Sequence, residues 1–281
     1  MSGGPTTRRR QLGAGLRRLR ERAELTLDDA GSRVGISKAT VSRYETKEGS
    51  VKWPLVDALC RQYNASEQER EALVELAKSA RVQGWWKSMN DSIPEWLNLL
   101  LTLEDEATSE DHFSAVYVPG LLQTRAYAEA VHHASEMRVS AEQIEHDVDV
   151  RMKRQEVLER PHPPHVWAVL DEAVIRRVVG GPATMRQQLA HLIDRAAQPH
   201  VTIQVLPFTA GAHTTCMGSF LVLGGPDPSL DVVYMDFLTG ALVIEKQPEV
   251  DRYKVAFDYL RAQALDITAS SAAIRQAMEA L

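Results

Sequence analysis

Lys38, Thr40, Ser42 and Arg43 crowd into the segment KATVSRY, interleaved with Ala39, Val41 and Tyr44. At helical spacing Val41 and Tyr44 turn inward, leaving Lys38, Ala39, Thr40, Ser42 and Arg43 on the outer face and first turn. Two cations, two hydroxyls and a small methyl group so placed suit the base edges and phosphate oxygens of a nucleic acid. Further cations, Arg8, Arg9 and Arg10, follow a Gly-Gly-Pro start, and residues 1–10 read as a mobile basic arm able to lie along phosphates.

The other reactive residue types make weaker patterns. His162 with His165 in PHPPH, and His213 with Cys216 in HTTC, have no second pair at zinc spacing, so no metal site is expected. Asp171 and Glu172 are adjacent and so point apart, which reads as a helix N-terminus receiving negative charge better than as an acid–base pair. There is no Gly-rich phosphate loop and no nucleophile elbow. No catalytic set and no cofactor are therefore expected, and the chain is not read as an enzyme. Arg176, Gln204 and Glu245, near predicted strands, and the tandem Trp85 and Trp86 make up the candidate effector or partner site.

The elements that must position the first cluster are written locally. Thr26 with Asp29 is a capping box that opens a short helix through Ala30 and Val34. Gly35 ends it at a left-handed turn, Ile36 plugs the interior, and Ser37 caps a second helix over Lys38–Tyr44. Before this pair, Leu12, Leu16, Leu19 and Ala23 recur at helical steps. After it, Pro54 opens a helix carrying Leu55, Ala58, Leu59 and Tyr63, with Cys60 on the buried side, and Ser66 with Glu69 caps a fifth helix to about Val82.

The chain has 281 residues and a formal net charge of −6, but the charge is divided. Through Ser66 there are 13 Lys and Arg against 7 Asp and Glu, net +6, while the remainder has 19 against 31, net −12. A polyanion partner is expected for the basic head alone. No apolar run approaches a membrane span or a signal core, and two isolated cysteines agree with a reducing compartment, so a cytoplasmic, nucleoid-associated location is expected.

The predicted organisation is a basic arm over 1–10, an all-α five-helix domain over 11–82, a linker over 83–94 and an α+β domain over 95–281. Trp85 and Trp86 in that linker are expected to dock on the second domain. A helix at Trp96–Leu103 is followed by an acidic segment at Glu104–Asp111. Strand-like runs at Val166–Leu170, Val201–Val205, Phe220–Leu223, Val232–Phe237 and Leu242–Glu245 predict a mixed or largely antiparallel sheet of about five strands.

With these residues in view, the first 80 residues resemble the Cro and phage-repressor type of helix-turn-helix domain, the xenobiotic-response-element family. The resemblance implies base contacts from Lys38, Ala39, Thr40 and Arg43, phosphate contacts from Ser42 and the Leu27 amide region, and a buried ion pair between Arg20 and Glu45. Ala30 and Gly31 stand where Leu and Ala are usual. Because Gly costs about 1 kcal/mol against Ala in a helix, either this helix is looser or its neighbour lies closer. VPGLLQT at 118–124, RMKRQ at 151–155, LDEAVIRRVVGG at 170–181, MRQQL at 185–189 and IQVLP at 203–207 resemble the C-terminal domain of actinobacterial regulators, including WhiJ-like proteins. That resemblance implies partner binding; with the head, the whole chain reads as a homodimeric DNA-binding transcription regulator, a repressor acting on a double-stranded operator, with a small neighbour-encoded protein or small-molecule effector as partner. An antitoxin that represses its own operon is the alternative.

Overall fold

The computed structural model describes residues 7–46, 51–79, 93–135, 139–215, 218–225, 228 and 231–281. Two compact units emerge, Met1–Glu106 with Gly224–Asp231, and Ala107–Leu223 with Val232–Leu281.

The first unit opens with α1 (Thr7–Arg22), α2 (Leu27–Val34), α3 (Lys38–Glu45), α4 (Trp53–Gln62) and α5 (Glu67–Ser79). Leu12, Leu16, Leu19, Val41, Val56, Leu59, Tyr63 and Leu73 form its core, one apolar stripe from each of four helices. Cys60 is buried there, and burial pushes its thiol up to about 12, so it packs as a small apolar side chain. Two expectations change. Arg8, Arg9 and Arg10 have helical backbone in the first turn of α1, so the arm reading does not hold for them. The sixth helix, α6 (Glu95–Glu106), packs on α1 and groups with this unit, not with the α+β unit.

The second unit is built on a six-stranded mixed sheet in the order β3-β2-β1-β4-β5-β6. Its strands are β1 (Ser109–Ser114), β2 (His165–Asp171), β3 (Val201–Leu206), β4 (Phe220–Gly224), β5 (Val232–Phe237) and β6 (Gly240–Ile244). β1, β2 and β3 are mutually parallel, while β4, β5 and β6 form an antiparallel meander. Parallel neighbours need long crossovers, and the helices α7 (Arg125–Ser135), α8 (Ala141–Arg154), α9 (Glu172–Arg176) and α10 (Gly181–Ala196) supply them. The chain closes with α11 (Gln247–Gln263) and α12 (Ile267–Glu279). Val166, Ala168, Leu170 and Ile203 pack with Tyr127, Leu189, Leu192 and Ile274 on one face. Val169, Leu206, Phe220 and Val233 pack with Val250, Phe257 and Leu260 of α11 on the other.

The sheet has one strand more than the five predicted. β1 reads SEDHFS, in a stretch the sequence presents as an acidic segment, yet Glu110 and His112 are buried. Hydrophobic alternation is blind to a strand whose inward residues are a carboxylate and an imidazole.

Candidate nucleic-acid interface

Local signals build the helix pair as its caps require. Thr26 accepts the Asp29 amide, the Asp29 carboxylate accepts the Thr26 amide at 3.1 Å, and Gly35 ends α2 at φ 72°. Ser37 caps α3 by accepting the Thr40 amide at 3.2 Å. At Gly31 the choice between a looser helix and a closer neighbour is settled: an added Cβ would lie 2.4 Å from the Ile36 carbonyl oxygen. The turn between the two helices passes directly over the glycine.

On α3, Val41 and Glu45 are buried, Lys38, Ala39 and Arg43 are exposed, and Thr40 and Ser42 are half-buried. The Thr40 hydroxyl lies 2.9 Å from that of Ser37, which leaves it lone-pair capacity for one more partner. The Leu27 side chain packs against the core, so only its backbone at the start of α2 can serve a ligand. Arg20 holds Glu45 from two sides, Nε to Oε1 at 2.7 Å and Nη2 to Oε2 at 2.8 Å, and its Nη1 donates to the Leu25 carbonyl at 2.7 Å. The carboxylate raises the Arg20 pKa further and ties α1 to the end of α3.

Much of the charge on the rest of the unit is internally spent, with Arg33, which reaches the Gln62 carbonyl, and Lys52 left without a carboxylate ion pair among the described residues. Arg17 pairs with Glu21, Arg22 with Glu69, Arg61 with Asp57, and Arg70 with Asp57 and Glu67. Among the described residues, Lys38 and Arg43 form no ion pair with a carboxylate. Nothing is described of the Arg8, Arg9 and Arg10 side chains.

Two of the candidate effector residues have partners within their own unit. Arg176 pairs with Glu172. Gln204 accepts from the Trp167 indole at 2.8 Å and donates to the Leu265 carbonyl at 2.9 Å, which makes it a buried link between the sheet and the segment that follows α11, beneath Arg261 stacked 3.9 Å over the Trp167 ring. Glu245 directly follows β6. Trp85 and Trp86 lie outside the described residues, as does Cys216. Asp171 caps α9 and Glu172 accepts the Phe208 amide at 2.9 Å, both positioning roles. Among the described residues no three His, Cys, Asp or Glu side chains are placed to hold a metal ion. None of the described helices is long and apolar enough to cross a membrane.

A buried clamp in the second unit escaped the sequence reading. Gln188 donates to the Leu122 carbonyl and accepts the Thr124 amide, both at 2.7 Å. Gln155 donates to the Gly120 and Gln123 carbonyls, each at 2.8 Å, while Arg151 donates to Gln123 Oε1 at 2.7 Å. The motifs VPGLLQT, RMKRQ and MRQQL are thus one interlocked structure. A signal was present: Gln188 stands three after Met185 and four before Leu192, on the apolar stripe of α10, where an amide must have a buried partner.

Residues 11–73 match a family described as a helix-turn-helix domain, the mark of a DNA-binding regulator. Residues 97–276 match a family described as a domain of unknown function (DUF5753), well over half of the chain, and the chain belongs to that family. No curated protein and no solved structure gives a match.

Proposed function

We propose that this chain is a sequence-specific, homodimeric transcription regulator that represses by placing α3 in the major groove of its operator, under the control of a partner-sensing second unit. The observation that carries the reading is the division of charge in the first unit. Five arginines are committed to carboxylates, whereas Lys38 and Arg43 project from the outer face of α3 uncommitted. In this reading Lys38, Ala39, Thr40 and Arg43 meet base edges, and Ser42, the Leu27 amide and Arg8–Arg10 meet phosphates. The start of α2 adds its partial positive charge to the Leu27 contact. Two heads are required because one covers a half-site, and half-sites lie about one helical turn apart. The acid-rich remainder of the chain suits a basic protein partner, or a small effector, as the signal.

The test is selection of preferred duplexes from a random pool, followed by anisotropy titrations of full-length protein at several salt concentrations. A selected site bound roughly 1,000-fold more tightly than scrambled DNA, with affinity falling steeply with salt, is expected. Equal affinity for selected and scrambled duplexes overturns the reading.

A further inference from the structure

The two edges of the sheet are finished differently. At β3 the chain covers its own edge: the Leu265 amide donates to the Val205 carbonyl at 2.9 Å, and the Val205 amide donates to the Ser270 hydroxyl at 2.9 Å. At the opposite edge β6 pairs only with β5, through Val233–Ile244, Tyr234–Val243, Met235–Leu242, Asp236–Ala241 and Phe237–Gly240. Alternate residues of an antiparallel strand turn N–H and C=O away from the partner strand, so β6 presents a row of such groups with no further strand among the described residues.

Natural edge strands are usually guarded by Lys, Pro, an inward charge or a bulge. β6 has none of these; it reads Gly-Ala-Leu-Val-Ile and is fully paired to β5 without interruption. The apolar surface continues along it. Leu242 is 48% exposed on the strand, and Phe237 and Leu238, at the turn leading into it, are 56% and 92% exposed.

We propose that β6 is the dimer seam, pairing antiparallel with β6 of a second copy about a two-fold axis at Leu242. This rests on the two-headed DNA reading above and assigns its interface. In that register Gly240 faces Ile244 of the second copy and Ala241 faces Val243, so the five-residue strand is matched end to end. The paired stretch carries no charge, so two acid-rich units meet there without opposing like charges. The two antiparallel halves join into one continuous sheet, and a two-fold contact closes on itself instead of propagating. A foreign strand would need only the same edge, but the end-to-end self-match of the uncharged β6 strand, with the two-headed reading, favours a second copy of this chain.

The test uses full-length protein. Sedimentation should give a dimer for wild type, and Val243→Pro, which removes an N–H and opposes strand pairing, should weaken dimerisation at least 100-fold with an unchanged circular dichroism spectrum. In a Cys216→Ser background, Leu242→Cys should be captured as a covalent dimer by a short thiol-to-thiol cross-linker, and Asp251→Cys should not. This second measurement holds even if the proline variant fails to fold. A dimeric wild type in which Leu242→Cys does not cross-link overturns the seam and leaves the two-headed reading standing. A wild type monomeric both free and on its operator overturns both.

Discussion

Arg20 and Glu45 form a two-point ion pair with side chains only 11% and 4% exposed, joining α1 to the residue that ends α3. Because little water reaches it, removing one partner strands the other charge. Arg20→Ala is expected to cost about 3–5 kcal/mol and to melt the first unit. Arg20→Lys should recover only part of this, since an ammonium cannot make the parallel Nε and Nη2 contacts. Thermal melts followed by circular dichroism check both, and an unchanged Arg20→Ala midpoint refutes the assignment.

Gly31→Ala sets helix propensity against packing. Ala should gain about 1 kcal/mol in a helix interior. The new methyl, however, would sit 2.4 Å from the Ile36 carbonyl oxygen, which belongs to the backbone of the turn and cannot rotate aside. Overpacking of this kind costs about 1–3 kcal/mol, and displacing the turn also displaces the Ser37 cap of α3. The expected outcome is net destabilisation with weaker DNA binding; a more stable protein would show that the turn yields.

What could be read in advance divides along the range of the interactions. Caps, the Gly35 turn and the Arg20–Glu45 pair come from short segments or a known resemblance, and the first unit matches them closely. Strand β1 escaped because Glu110 and His112 hide its inward face from any hydrophobicity pattern. Its parallel pairing with β2 joins residues more than fifty positions apart, and no local turn chemistry reports that. From sequence alone Gln204 looks like a ligand group, because a lone polar residue in a strand has no visible partner. Its partners, Trp167 and Leu265, lie 37 and 61 residues away, beyond the reach of spacing arguments.

Two carboxyls should make the units respond to pH in opposite senses. Glu69, gripped by Arg22 and by the Ser66 cap, is held down to about 2 from its ordinary 4.5. Its stabilisation is therefore present above about pH 4.5 and lost as pH falls toward 2. Glu110, fully buried with Oε2 2.9 Å from His112 Nε2, is pushed up to about 7 by loss of hydration. Its contribution is present below 4.5 and lost as pH rises through 7. Relative to wild type, Glu69→Gln should lose most at neutral pH, whereas Glu110→Gln should gain between pH 5 and 8. Denaturant melts of Glu69→Gln from pH 2 to 7 and of Glu110→Gln from pH 4 to 8 decide it, and parallel pH profiles for either variant and wild type would contradict that assignment.

Lys38 and Arg43 occupy different turns of α3, and their substitutions should separate recognition from attraction. A guanidinium paired with a guanine edge is worth about 1–3 kcal/mol of discrimination, so Arg43→Ala should weaken the preferred site by that amount and scrambled DNA far less. A phosphate contact behaves otherwise: its loss weakens every duplex alike and lowers the salt slope by about one counterion. Lys38, at the N-terminal end of the helix, can reach either group, and the same pair of titrations assigns it. If Arg43→Ala weakens preferred and scrambled duplexes equally, Arg43 is a phosphate contact and base reading falls to Lys38, Ala39 and Thr40.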